Sequence, residues 1–362
     1  MQPGLVRAVC LSMLMVWSSR AFALNPALEI NQYAHAAWTI REGFFNNAVF
    51  SIAQTPDGYL WLATDFGLLR FDGVRAVVWQ PSSGQHIPSQ TVHKLLAARD
   101  GRLWLGTARG LASWKAGTLV VYPELAGQDV IAVAEDDAGD VWAGTATIPG
   151  SRLCAFGRAV RCFGQDGRFG SGVFSLFAEG ANVWVGAATG LWRWTQDDGH
   201  RFDMPSPSLS DVVRLSDGAL LLAMTGGIRQ FVADKLQSYS VVGLDEKGTA
   251  ARLLVDRDGG LWIGTSGHGL LHAYQGRVDR FTQADGLSGD SIGALFEDRE
   301  GNVWVATYEG IDRFRENPIM TAPRGTGWAA DVVSSVLRGR DDSVWLGTSD
   351  GLIHWKDGRT TR

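Results

Sequence analysis

"DGYLWLATDFGLLRF" (residues 57–71) reads as an apolar hairpin: an Asp-Gly turn, a strand around Trp61, a second turn at Asp65-Phe66-Gly67, and a strand ending on Phe71. The phrase returns as "DGRLWLGTARGLASW" at 100–114 and as "DGGLWIGTSGHGLLHAY" at 258–274. Aligned on the tryptophan, the chain shows Trp61, Trp104, Trp142, Trp184, Leu221, Trp262, Trp304 and Trp345, eight copies about 41 residues apart. A fixed period of that length marks an array of identical supersecondary units. Two further columns are as strict. Two residues after the tryptophan stand Ala63, Gly106, Gly144, Gly186, Ala223, Gly264, Ala306 and Gly347, and an aromatic follows at Phe71, Trp114, Phe156, Trp194, Phe231, Tyr274, Phe314 and Trp355.

Each copy reads as strands. Asp-Gly between β-rich runs is the strongest short hairpin signal, because both central turn residues need positive φ. Four short strands fit one copy. In "YLWLAT" Tyr59 and Trp61 point one way and Leu60 and Leu62 the other. A sheet with one wet face would alternate apolar with polar, so these sheets are apolar on both faces and must lie between neighbours. Radial stacking of four-stranded blades does that. The expected fold is all-β, a seven-bladed β-propeller of four-stranded antiparallel blades with the start of a second propeller at the C-terminus. The strand "AAWTI" (36–40) completes the last blade and closes the ring. The organisation read this way is 1–23 signal peptide, 24–325 first propeller, and 326–362 the incomplete first blade of a second.

The 362 residues are 45% apolar, with 45 Gly and 15 Trp, far too apolar for a disordered chain. The formal net charge is −5 and no basic run exists, which excludes nucleic acid as a partner. The opening "MQPGLVRAVCLSMLMVWSSRAFALN" has a basic residue (Arg7), an apolar core from Ala8 to Trp17 and Ala21-Phe22-Ala23, the pattern of a secretory signal cleaved after Ala23. Cleavage removes Arg7 and Arg20 and takes the net charge to −7. It leaves Cys154 and Cys162, a pair that an oxidising compartment would join. Centring the hairpin of "LCAFGRAVRCF" on Arg158 sets Cys154 opposite Cys162 and Phe156 opposite Val160, so a Cys154–Cys162 disulfide is expected.

Catalytic signatures are missing. The chain has no P-loop, no GxGxxG after a strand, no H-E-x-x-H and no GxSxG elbow, and its seven His lack metal-ligand spacing. No cofactor and no metal is expected. The Asp-Gly turns differ from the sialidase Asp box, which places a residue between Asp and Gly. An exported propeller lyase or glycosidase and a protein-binding scaffold remain the alternatives to a binding role.

"WTIREGFFNNAVFSIAQTPDGYLWLATDFGLLRFDGVR" (38–75) resembles the start of the periplasmic sensor region of two-component regulator propeller proteins. "DGLSGDSIGALFEDREGNVWVATYEGIDRF" (285–314) resembles an internal repeat of that family. The resemblance implies a periplasmic ligand sensor, often of two seven-bladed propellers, followed by a transmembrane helix and a histidine kinase or diguanylate cyclase. It implies an anchored homodimer at full length, a small-molecule ligand of carbohydrate type, and no kinase or cyclase activity in this chain. The turns between second and third strands open on one face, where the repeats stop agreeing: Asp65-Phe66, Ala108-Arg109, Ala188-Thr189, Gly267-His268, Tyr308-Glu309 and Ser349-Asp350. Asp65, Arg109, His268, Tyr308 and Glu309 are the expected ligand contacts. The tryptophans, one per copy on a strand, are read as core. Truncating Trp104, Trp262 or Trp304 to Ala is therefore expected to cost about 3–5 kcal/mol in denaturant unfolding, as for a large buried aromatic.

Overall fold

The computed structural model describes residues 24–148, 150–195, 198–204, 209–244, 250–317, 333–339, 341, 343–349, 351–356 and 359–361. The expected signal segment with Ala23, the proposed domain boundary at 325/326, and Asp350 lie outside them. Among the described residues there is no α-helix, only strands and three short 3-10 turns.

Eight antiparallel sheets of four strands follow one another along the chain. Six of them, at 51–79, 92–122, 130–163, 173–202, 209–239 and 250–281, are simple meanders of consecutive strands, here blades 1 to 6. Blade 7 has three consecutive strands from 292 to 315 and takes its fourth, outermost strand from the other end of the chain. Ala34–Thr39 pairs with Gly310–Arg315, with Trp38 opposite Ile311. The sequence-expected closing strand thus closes the ring, and the two ends are held by ladder hydrogen bonds. The segment before it docks on the ring too: Leu24, Ile30 and Tyr33 are buried with Trp262 and Phe281.

The first strand of each blade is innermost. Each touches the first strand of the next blade, and Ile292–Glu297 of blade 7 touches Ser51–Gln54 of blade 1. Seven blades therefore complete the circle, and the eighth sheet, from Val333 to Thr361, is not a member of it.

The tryptophan column explains how blades stick together. Trp61 packs on Val92, Leu95, Leu103 and Leu105 of blade 2, while Leu60 and Leu62 on its strand face Trp304 and Ala306 of blade 7. The pattern recurs, so Trp104 meets blade 3, Trp142 meets blade 4, Trp184 meets blade 5 and Leu221 meets blade 6. Seven aromatic or aliphatic wedges fill seven blade interfaces. Trp104, Trp262 and Trp304 are all buried, as core placement requires. Trp345 of the eighth sheet is only partly buried.

Several indole N–H groups find an acceptor that sequence pattern did not reveal. Trp142, Trp262 and Trp304 donate to Asp136 (2.8 Å), Asp256 (2.8 Å) and Asp298 (2.7 Å), each six residues earlier at the head of the hairpin turn. The same carboxylates accept backbone N–H groups of the turn, from Asp140, Gly260 and Asn302. One side chain thus shapes the turn and satisfies the buried indole. In blade 1 Thr55 takes the place of the carboxylate, at 2.7 Å from Trp61 Nε1.

The Gly/Ala column marks the closest approach of neighbouring blades. A Cβ on Gly144 would lie 2.4 Å from Val173 Cγ1, and one on Gly264 2.5 Å from Ile292 Cγ2. On Gly106 it would lie 2.7 Å from the Val130 carbonyl oxygen. In each case the obstacle is the first residue of the next blade's inner strand. Cys154 and Cys162 are directly opposed in blade 3, Phe156 faces Val160, and the two sulfurs are bonded with Cα atoms 4.1 Å apart. That Cα separation falls just under the usual 4.4 Å lower bound for disulfides. Because overpacking a filled core costs about 1–3 kcal/mol, Gly144→Ala is expected to destabilise the ring by that amount. Thermal and denaturant unfolding would measure it; wild-type stability would mean the blades can move apart.

Candidate functional site

The inner strands enclose an axial channel with a cavity of about 490 Å³. Its wall is built by one repeated irregularity. In blades 2 to 7 the inner strand enters with a register shift, between Val92 and Lys94, Val130 and Ala132, Val173 and Ser175, Leu209 and Asp211, Ala250 and Arg252, and Ile292 and Ala294. A bulge inserts a residue and re-aims the strand's side chains. The residue after each bulge pairs with the Gly/Ala column: Lys94 with Gly106, Asp211 with Ala223, Arg252 with Gly264. These positions, with Ser51, Ala132, Ser175 and Ala294, form one level of the channel wall. Two residues further on, a second level is apolar, with Leu96, Phe177 and Phe296 lining the cavity.

Hydrogen bonds tie the charged level from blade to blade. Ser51 Oγ accepts Leu95 N–H at 3.1 Å, and Asp211 accepts Val212 N–H at 2.9 Å and Leu253 N–H at 3.0 Å. Arg252 donates from Nε to the Gly293 carbonyl at 2.7 Å. Lys94 lines the channel as an exposed residue; desolvation by the surrounding wall lowers its pKa, Asp211 opposes the effect and Arg252 adds to it. At one mouth His93 Nε2 stands 3.1 Å from Asp129 Oδ1, and burial raises the Asp129 carboxyl pKa against the pull of His93. At the other, Arg99 N–H donates to Glu135 (2.8 Å), Arg257 N–H to Glu297 (3.0 Å), and Arg299 N–H to Gln54 (2.8 Å) across the closing interface.

The five sequence-selected residues sit elsewhere. Asp65, Arg109, His268, Tyr308 and Glu309 are exposed in the second-to-third-strand turns, and none of them lines the channel cavity. The reason is radial: these turns join the second and third strands, while the first strands form the wall. They belong to blades 1, 2, 6 and 7, and only the sequence neighbours Tyr308 and Glu309 share a turn. Glu309 accepts a hydrogen bond from Gln283 Nε2 at 2.9 Å. What fixes the turns is the threonine of the "GT" column. Thr64, Thr107 and Thr265 donate to the carbonyls of Gly67, Gly110 and Gly269 at 2.7–2.8 Å, and Thr107, Thr265 and Thr307 accept the N–H of Arg109, His268 and Glu309. The threonine recurs in the sequence, but its role in closing the turn emerges only from the folded hairpin.

No cluster of His, Cys, Asp or Glu able to hold a metal exists among the described residues. His272 is the most perturbed imidazole. It is buried against Trp262 (ring centroids 4.4 Å apart) and Tyr33 (5.8 Å), neither ring nitrogen has a partner among the described residues, and burial lowers its pKa to about 4.

This architecture, a closed ring of seven four-stranded blades around an axial cavity, defines a seven-bladed β-propeller. The family model described as two-component regulator propeller matches the chain at residues 43–66, 86–109, 248–267 and 286–309. Each match runs through the first hairpin of blade 1, 2, 6 or 7. The structure is similar to the extracellular domain of a putative hybrid two-component system from B. thetaiotaomicron, at 22% identity and TM-score 0.69, over 91% of this chain and 49% of that one. A second such extracellular domain from B. thetaiotaomicron matches at 18% identity and TM-score 0.63, over 87% and 45%. Virginiamycin B lyase from Staphylococcus aureus matches at 13% identity and TM-score 0.61, over 79% and 100%. The chain thus spans about half the length of the two-component domains it resembles. No curated protein matches the sequence. No helix among the described residues is long and apolar enough to cross a membrane.

The neutral His272 makes a pH prediction. Protonation is penalised in the fold, so its contribution is intact above the ordinary imidazole pKa of about 6.5 and is lost as pH falls toward about 4. The full cost is on the order of 3 kcal/mol. His272→Phe should flatten that part of the stability–pH curve between pH 6.5 and 4, followed by denaturant unfolding; an unchanged slope would place the protonation elsewhere.

Proposed function

We propose that this chain is the exported, ligand-sensing propeller region of a two-component or diguanylate cyclase receptor. The observation that carries the reading is the regulator propeller repeat, found on four blades of one closed ring. In this reading the ring binds a small exported molecule of carbohydrate type and turns nothing over. Membrane-anchored segments of a longer, homodimeric protein supply the kinase or cyclase output. The exposed turns bearing Asp65, Arg109, His268, Tyr308 and Glu309 form the contact face, with the ligand held there directly or against a second propeller.

The eighth sheet supports the second propeller. Val336 follows the bulge residue of its inner strand by two, as Leu95, Val133, Val212 and Leu253 do in the ring. Those four are 4% exposed, whereas Val336 is 67% exposed and Leu337 beside it 68%. A blade with bare apolar faces is one whose neighbours are other blades. We read Val333–Arg338 as the first inner strand of a second ring.

Titration calorimetry of the purified chain against neutral sugars and oligosaccharides tests the sensor reading. The expected result is saturable binding without product, weakened about tenfold or more by the Arg109→Ala/Tyr308→Ala double variant. Absence of binding across such a panel counts against the sensor, and chemical conversion of any ligand would overturn the non-catalytic assignment.

A further inference from the structure

The axial channel contains a charged group that the fold does not use. Lys94 lines the cavity, and among the described residues its ammonium has neither a hydrogen-bond nor an ion-pair partner. Arg252 stands at the same level of the wall, four blades further round the ring, with Nε and Nη1 committed to the carbonyls of Gly293 and Ala251 (2.7 and 2.6 Å). The acid at this level, Asp211, has both carboxylate oxygens engaged by backbone N–H groups. The other acids that approach the channel are occupied as well, Asp129 with His93 and Glu135 with Arg99. Two cations thus face the space while the carboxylates are turned into the wall. An anion entering the channel would therefore meet positive charge to which no carboxylate of the wall is bonded. The channel wall desolvates the exposed Lys94 in part, which lowers its pKa, and Asp211 offsets only part of that effect.

The second level of the wall gives the site its other half. Leu96, Phe177 and Phe296 are partly exposed to the channel two residues beyond Lys94, Ser175 and Ala294. An apolar collar next to a cationic one recognises a molecule with a charged head and an apolar body. The cavity volume falls within the range of small-molecule sites, roughly 300–1,000 Å³.

We propose that the axial channel is a binding site for a small organic carboxylate, its head between Lys94 and Arg252 and its apolar body against Leu96, Phe177 and Phe296. This site is separate from the carbohydrate face proposed above and does not depend on any signalling role. Lysine meets the carboxylate as a point charge, and the remaining guanidinium N–H groups of Arg252 add charge-assisted hydrogen bonds.

Calorimetry on the full chain tests it with phenylacetate as the probe, phenylacetamide as its uncharged match, and glucuronate and inorganic phosphate as anions without an apolar ring. Phenylacetate should bind at one site per chain, and phenylacetamide at least tenfold more weakly. Lys94→Met, which keeps the stem and removes the charge, should weaken phenylacetate tenfold or more, while Lys94→Arg retains it; circular dichroism and melting of both variants establish that the ring is intact. Glucuronate binding more tightly than phenylacetate would overturn the apolar collar. Phosphate competing as well as phenylacetate would reduce the site to a simple anion hole. No binding of phenylacetate to folded wild type, or binding indifferent to Lys94→Met, would overturn the proposal.

Discussion

The second strand of each blade passes so close to the next blade that its position two residues after the tryptophan column holds nothing larger than a methyl group. Everything else in the ring is arranged around that contact. Val130, Val173 and Ile292 press against Gly106, Gly144 and Gly264 at the point where the inner strands converge. The tryptophan two residues earlier points the same way and packs against the next blade. Glycine at the close approach and tryptophan two residues away on the same strand together fill the interface between neighbouring blades. The indole–carboxylate bonds to Asp136, Asp256 and Asp298 satisfy the tryptophan N–H at three of these wedges.

Closure makes the first strand of the chain a structural partner of the last blade. Ala34–Thr39 completes blade 7, and Arg299 N–H reaches Gln54 as Arg99 N–H reaches Glu135 within the ring. The closing interface therefore uses the same inter-blade bond as the interfaces between blades 2 and 3 and between blades 6 and 7. The eighth sheet repeats the sequence pattern and even the bulge, between Val333 and Ser335, yet Trp345 is only partly buried and Val336 and Leu337 are exposed. The repeat specifies a sheet, and burial of its faces comes from neighbours.

The same bulges that admit the close approach decide what the channel shows. By shifting the inner strand at its entry, they bring Lys94, Asp211 and Arg252 to one level of the wall although they come from blades 2, 5 and 6. The exposed turns and the channel are thus two different surfaces. The turns are set by threonine hydroxyls closing second-to-third-strand loops, and the channel is set by inner-strand register.

The sequence by itself determined the repeat, the strand pattern, the closing strand and the burial of the tryptophan column. Each of these is written in local spacing: Asp-Gly turns, period-2 apolarity and an apolar residue on both faces of "YLWLAT". It also fixed the opposition of Cys154 and Cys162, which depends only on a short hairpin's centre. The channel was not legible. Lys94, Asp211 and Arg252 are separated by more than a hundred residues at the widest, look like ordinary polar positions at strand starts, and meet only because the ring curves back on itself. The turns bearing Arg109 and Tyr308 were visible as variable slots, but their distance from the channel wall was not, because strand order within a blade sets radius and sequence spacing does not. Long-range placement of that kind comes from how many wedges close the circle, and only the tertiary structure decides it.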